Sequence, residues 1–347
     1  MSSHPRLQRE ASASSWLFIN VARIGDTLLC IPAIRAVAES CVGATIDVLA
    51  HPGRAEALEN LPFVASVGTI SKRQAWLRGW VRPRQYDYAL VYGHDAALIQ
   101  FALRVAKRVV AFEQEDPRQN KRLFRSVREP PPLSMHAVHH RLLLTEALGI
   151  PPVGLRLSYH PTPDELCWAD ATLNKDVPRN RSPLVGLHVA TFPKKTFRRW
   201  PIEKFAELAH GILKILPDAH FLIFGGNEEP DQVKWLGKQL GSRATAYAGR
   251  ISLRQSGALM SRLGLFVGLD SGPSHLASAF DYPMVLLHHC LIPSRIIAPL
   301  QHPCCVPVDH PRLAGGHCSE QVSMDEITVD QVIASVEQAL MLGRSGR

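Results

Sequence analysis

No apolar run in these 347 residues approaches the roughly 20 that a bilayer-spanning helix needs, so a membrane-embedded chain is not expected. The opening stretch MSSHPRLQREASASS lacks the apolar core of a secretory signal, which makes a cytoplasmic location the expectation. Low-complexity tracts and short-period repeats are also absent. The seven cysteines (Cys30, Cys41, Cys167, Cys290, Cys304, Cys305, Cys318) are odd in number and scattered. That speaks against a disulfide framework and for reduced thiols. Cys304, Cys305, His310, His317 and Cys318 lie close in sequence, but the adjacent Cys304-Cys305 pair does not have the C-x₂₋₄-C spacing of zinc sites. No metal site is expected there. The turn ARIGD after the first apolar run is too short for a G-x-G-x-x-G fingerprint, which argues against a dinucleotide at that point. An Asp-x-Asp metal motif is missing as well.

What is present is the grammar of an α/β protein, stated twice. In the first half, the strand WLFINV (residues 16–21) leads through ARIGD to an amphipathic helix from Thr27 to about Ser40. TIDVLA (45–50) and DYALVY (87–92) then read as further strands. After the polar passage NKDVPRNRSP, the second half restarts with the strand LVGLHVA (184–190). A basic loop, the helix PIEKFAELAHGILKIL, the strand HFLIFGG and a short helix near 253–262 follow. Strands alternating with helices predict parallel βαβ units and doubly wound sheets. The expected architecture is two Rossmann-like domains, residues 1–173 and 174–347, facing each other across a cleft. Ligands of open α/β sheets bind outside the carboxyl ends of the strands, so the loops after Val21, Tyr92, Ala190, Gly226 and Val267 are the ones to inspect.

Those loops carry the chemistry. DSGPSH (Asp270–His275) follows an apolar run and opens a helix, where free backbone N–H groups suit a phosphate. Ser271 and Ser274 add hydroxyls, Gly272 allows close approach, and Pro273 is tolerated in a first helical turn. Capping alone would explain Asp270 or Ser271, though not His275. The loop TFPKKTFRRWP gathers Lys194, Lys195, Arg198 and Arg199 on the same sheet edge, read either as a phosphate-binding patch or as a solvated turn. Asp26 stands at a strand's carboxyl end, where a general base would sit, with a simple helix N-cap as the other reading. GGNEEPD offers glutamates that could hold ribose hydroxyls. The net charge of +8 favours acidic partners in general. No nucleic-acid recognition motif accompanies it.

Taken together, RIGDTLLCIPAIRAV, FRRWPIEKFAELA, FLIFGGNEE, the run from YAGRISL through DSGPSHLASAF to MVLL, and SMDEITVDQV resemble the successive blocks of the lipopolysaccharide heptosyltransferase family, collinear from about Trp16 to Val332. The resemblance implies a GT-B glycosyltransferase whose N-terminal domain binds acceptor and whose C-terminal domain binds nucleotide sugar. It implies Asp26 as catalytic base, with Asp270, Ser271, Gly272 and His275 at the nucleotide diphosphate. Thr191 would lie near the phosphates, and Glu228 or Glu229 would contact the ribose. Lys194, Lys195 and Arg198 would stabilise the leaving group. Family members usually have lysine two residues before the Trp-Pro, where this chain has Arg198, a planar fork in place of a point charge. Where relatives end a cysteine-rich patch in Cys-Met, this chain has Ser323-Met324.

The implied reaction is inverting, metal-independent transfer of heptose from ADP-heptose to the lipopolysaccharide inner core, with no cofactor. On the acceptor side, Arg23 and, within a basic stretch from Arg104 to Arg128, Arg118, Lys121 and Arg122 suit an anionic acceptor at the cytoplasmic membrane surface. A peripheral place on the inner face of the inner membrane follows from that reading. Two alternatives remain open at this level: a related transferase using another nucleotide sugar or acceptor, and a nucleotide-sugar-binding protein without activity.

Overall fold

Short apolar segments bounded by turn residues fold here into strands whose central members are buried on both faces, as parallel sheets covered by helices require, while the strands at the sheet edges stay partly exposed. The computed structural model describes residues 13–78, 85–189, 195–225 and 230–345. The chain divides into two compact units, Met1–His160 and Pro161–Arg347.

In the first unit the described residues form strands β1 (Ser15–Asn20), β2 (Thr45–Ala50), β3 (Ser66–Thr69), β4 (Tyr86–Tyr92), β5 (Ala106–Phe112) and β6 (Arg125–Val127). Their order is β3-β2-β1-β4-β5-β6, and every neighbouring pair is parallel. The chain leaves β1 toward β2 on one side and returns through β4 on the other, so a topological switch point lies between the carboxyl ends of β1 and β4. Leu17, Ile19, Ala89 and Val91 from these two strands pack with Leu98, Ile99 and Ala102 of the helix Ala96–Val105. The basic stretch from Arg104 to Arg128 contains both β5 and β6. Lys107 and Arg108 disguise the start of β5: Lys107 reaches Asp87 at 2.8 Å, and Arg108 lies over the rings of Tyr88 and Phe124.

The second unit repeats the plan with β7 (Leu184–His188), β8 (His220–Phe224), β9 (Ala244–Ala246), β10 (Leu265–Leu269), β11 (Met284–His288) and β12 (Cys305–Asp309). The order is β12-β11-β10-β7-β8-β9, again parallel throughout. Counted within the unit this is the same order as in the first, with its switch point between β7 and β10. A Cβ at Gly268 would meet the Phe266 ring at 2.9 Å and His188 Cβ at 3.0 Å, so glycine lets these two strands close up just before Asp270.

The division at His160/Pro161 falls earlier than the expected 173/174 boundary because the helix Pro163–Asp176 packs with the second unit. Arg254 forks onto Glu165 with bonds of 2.7 and 2.5 Å, and Arg262 forks onto Asp170 at 2.7 and 2.9 Å. These bidentate pairs supply geometric specificity to a helix whose only buried side chain is Ala169. No described helix is long and apolar enough to cross a membrane.

Candidate active site

Asp26 sits at the switch point of the first sheet. After β1, Arg23 has extended backbone angles and forms the N-cap of the helix Ile24–Leu28 without a side-chain capping bond. Asp26 lies inside that helix, so the N-cap reading of this residue is corrected. Asn20, the last residue of β1, donates from Nδ2 to the Asp26 carbonyl at 3.0 Å and to Cys30 Sγ at 2.9 Å, stitching strand end to helix. The Asp26 side chain keeps 41% exposure, and its Oδ1 accepts from Arg141 Nη2 at 3.2 Å. Arg141 comes from the helix Ala137–Glu146, 115 residues further along the chain. Its own carbonyl accepts from the buried Tyr92 hydroxyl at 3.1 Å. Among the described residues, Oδ2 of Asp26 has no hydrogen-bond partner. Burial pushes the neighbouring Cys30 thiol up to about 12, which removes it as a nucleophile.

The proposed acceptor cations are placed less closely. Arg23 is exposed beside Asp26. Arg118 lies on the short helix Pro117–Asn120, Lys121 follows it, and both are exposed. Arg122 donates to Gln100 at 2.8 Å. Because β6 begins opposite Val110, this segment returns along the flank of the sheet. Among the described residues no hydrogen bond or ion pair joins Arg118, Lys121 or Arg122 to Asp26.

At the carboxyl end of β10, Asp270, Ser271, Gly272, Ser274 and His275 do converge. Ser271 is the N-cap of the helix Gly272–Ala277, and its side chain makes no capping bond. Ser271 thus holds the N-cap position without capping through its hydroxyl, and Asp270 is not the cap. Ser274 donates instead to the Leu269 carbonyl at 2.6 Å, and its hydroxyl lies 3.3 Å from that of Ser271. The buried Asp270 forms an ion pair with the partly buried Arg198, whose Nη2 also bonds the Asp270 carbonyl at 2.9 Å. His275 Nε2 lies 3.5 Å from Asp270 Oδ1. Burial alone would raise the Asp270 carboxyl. The bond with His275 and the Arg198 guanidinium outweigh it and hold the group well below the usual carboxylate range.

Arg198 thus organises the Asp270 turn. Its own position follows from the Trp-Pro pair: Trp200 is buried and donates from Nε1 to the Ile327 carbonyl at 2.9 Å. Lys204 adds a pair with Asp325 at 2.8 Å. Lys195 is half-buried ahead of the turn Thr196–Arg198. Thr191, Lys194, Glu228 and Glu229 lie outside the described residues.

Sequence reasoning missed several groups. Arg141 gave no local sign of its partner, which only the fold brings near. His288 ends β11 in register with Asp309, and neither of its buried ring nitrogens has a hydrogen-bond partner among the described residues. Burial lowers its pKa against the pull of Asp270 and Asp309. The expectation of reduced thiols is corrected at one pair, since Cys290 is disulfide-bonded to Cys318 across a Cα–Cα distance of 5.9 Å. The cysteine and histidine group considered for zinc is not assembled. His310 bonds the Ser323 carbonyl at 3.0 Å, and Cys318 instead lies with His289 and Cys290.

Residues 77–302 match the model of glycosyltransferase family 9 (heptosyltransferase). The chain belongs to that family. This family 9 glycosyltransferase is 21% identical over 281 residues to the lipopolysaccharide core heptosyltransferase OpsX of Haemophilus influenzae, covering 79% of this chain and 78% of the relative. It is 26% identical over 292 residues to lipopolysaccharide heptosyltransferase 1 of Pseudomonas aeruginosa, covering 78% and 77%. Among solved structures, the ADP-heptose lipopolysaccharide heptosyltransferase II of Escherichia coli matches with a TM-score of 0.77 at 19% identity, over 96% of this chain and all (100%) of that one. The fold is GT-B.

Proposed function

We propose that this glycosyltransferase moves heptose from ADP-heptose to the lipopolysaccharide inner core, with inversion at the anomeric carbon and without a metal ion. The first unit would bind acceptor and the second would bind nucleotide sugar. The observation that carries the reading is the state of Asp26. One carboxylate oxygen is held by Arg141, while the other lacks a protein partner among the described residues on a side chain that is 41% exposed. A single displacement needs one such base and no covalent nucleophile. The acceptor hydroxyl gives its proton to Asp26 as its oxygen bonds to the anomeric carbon, and the bond from that carbon to the diphosphate breaks with its electron pair leaving on ADP. The Ser271–His275 turn, with the basic side chains of the loop before Trp200, would take up the charge of the leaving group. The relatives' names support the choice of donor and acceptor, since they are heptosyltransferases of lipopolysaccharide and one is named for ADP-heptose. Work at the cytoplasmic membrane surface, on its inner face, follows from an acceptor of that kind.

The purified protein should transfer heptose from ADP-heptose to heptose-deficient lipopolysaccharide, read by mass spectrometry of the product, with the same turnover in excess EDTA. Turnover with a different nucleotide sugar alone would replace the donor assignment. Loss of activity on chelation, restored by Mg²⁺ or Mn²⁺, would overturn the metal-free mechanism.

His275 provides a second check. Hydrogen bonds to charged groups contribute roughly 1.5–3 kcal/mol, so His275→Ala should weaken ADP binding by about ten- to a hundredfold in calorimetric titration. On sequence grounds the melting temperature of the ligand-free variant should barely move. The burial of His275 against Asp270 now makes a lower melting temperature the expected result. Equal dissociation constants would return the histidine to a structural role.

A further inference from the structure

Asp26 is the end of a longer chain of contacts within the first unit. Arg141 donates from Nη2 to Asp26 at 3.2 Å, and its Nη1 lies 3.2 Å from Nδ1 of His140, the preceding residue. His140 Nε2 lies 2.7 Å from Glu129 Oε1, and the other oxygen of Glu129 lies 3.2 Å from His94 Nε2. The His140 ring also packs on Phe112 at the end of β5, with centroids 4.6 Å apart.

Arginine has only N–H donors, so the Arg141–His140 contact is a hydrogen bond only if Nδ1 carries no proton. The proton must then be on Nε2, where it points at the Glu129 carboxylate. One neutral tautomer satisfies both contacts. A doubly protonated ring satisfies Glu129 alone and faces the guanidinium with a like charge.

We propose that His140 is a positioning residue for Asp26: neutral, it fixes the Arg141 guanidinium against the carboxylate, and protonated, it releases it, so that the activity of Asp26 is coupled to pH through a side chain that does not touch substrate. This rests on the reading of Asp26 as the base. The groups that face His140 are Glu129 from the loop ahead of its helix, His94 from the loop after β4, and Arg141 on its own helix. Beyond Arg141 lie Asp26, Cys30 and Tyr92. Burial, together with the Arg141 charge, lowers the pKa of His140, and Glu129 pulls it upward. The net lowering favours the neutral ring, and release of Arg141 is expected on the acid side of the ordinary histidine pKa.

The test is the pH profile of kcat/KM for transfer from ADP-heptose to heptose-deficient lipopolysaccharide. His140→Asn keeps an acceptor for Arg141 that cannot be protonated. It should hold kcat near pH 7 within about threefold of wild type and remove one proton from the acid limb. Glu129→Gln, on an exposed side chain, should move that limb to lower pH. A limb unchanged in both variants overturns the proposal. If Asp26→Asn is inactive in the same assay, the base assignment survives that result. If Asp26→Asn retains turnover, both readings fall together. The coupling can also be read without substrate, by NMR titration of the His140 ring. Its midpoint should fall in Glu129→Gln and rise in Arg141→Met, and a midpoint indifferent to both would equally overturn the inference.

Discussion

Asp26→Asn should lower kcat by at least about 10²-fold while leaving nucleotide affinity almost unchanged. The substitution keeps size and shape, and the amide oxygen can still accept from Arg141. What it loses is the ability to take a proton from the acceptor hydroxyl, and general-base contributions are typically 10²–10⁴-fold. Stability should change little, because the carboxylate is 41% exposed and the backbone of its partner Arg141 is also held by the Tyr92 hydroxyl. Steady-state kinetics beside calorimetric titration of ADP separate the two effects. A folded variant that turns over at more than about a tenth of the wild-type rate would remove Asp26 from the chemistry.

Asp270→Asn should produce the largest loss of stability. Asp270 is buried and Arg198 largely so, with side-chain exposures of 7% and 13%. Removing one charge leaves the other inside without compensation, which costs about 3–5 kcal/mol in comparable buried pairs. At roughly 2–4 °C per kcal/mol for a unit of this size, the melting midpoint of the second unit falls by on the order of 10 °C. Replacing both partners, Asp270→Asn with Arg198→Met, should recover much of that loss, because no unpaired charge remains.

The pH dependence has a definite sign. The Asp270 carboxyl is held below its unfolded range, so its contribution is fully present above about pH 4 and is lost as pH falls toward the depressed folded value. Acid titration of stability should therefore be shallower in Asp270→Asn than in wild type below about pH 4. A melting midpoint unchanged by the single substitution would show that the ion pair does not hold this turn.

Strands dominated by apolar residues were legible: β2 lies where TIDVLA places it, and β1, β4, β7, β8 and β10 fall within a few residues of their expected ends, whereas the seven-residue β5 was disguised by Lys107 and Arg108 near its start. Short strands carry no such signature. β3, β6 and β9 have three or four residues each and owe their pairing to the neighbours they extend. The positions of Asp26 and Asp270 at strand ends could be read from the turn chemistry around them. Their partners could not, since Arg141 and Arg198 lie 115 and 72 residues away and nothing local marks them as counter-ions. The capping readings of Asp26 and Asp270 failed for a related reason. A short acid or hydroxyl ahead of a helix satisfies the capping pattern in sequence, and only the tertiary cation shows that the carboxylate is used elsewhere.

Trp200 gives the basic turn an unusual footing. Its indole hydrogen bonds to a carbonyl 127 residues downstream, just ahead of the helix Val329–Ser345. Lys204 grips the same segment. Mechanically, the residues around Arg198 are braced by the Asp325–Ile327 segment. A displacement of that segment would be felt at Arg198, and through it at Asp270, as the shift of a strut is felt at the joint it supports.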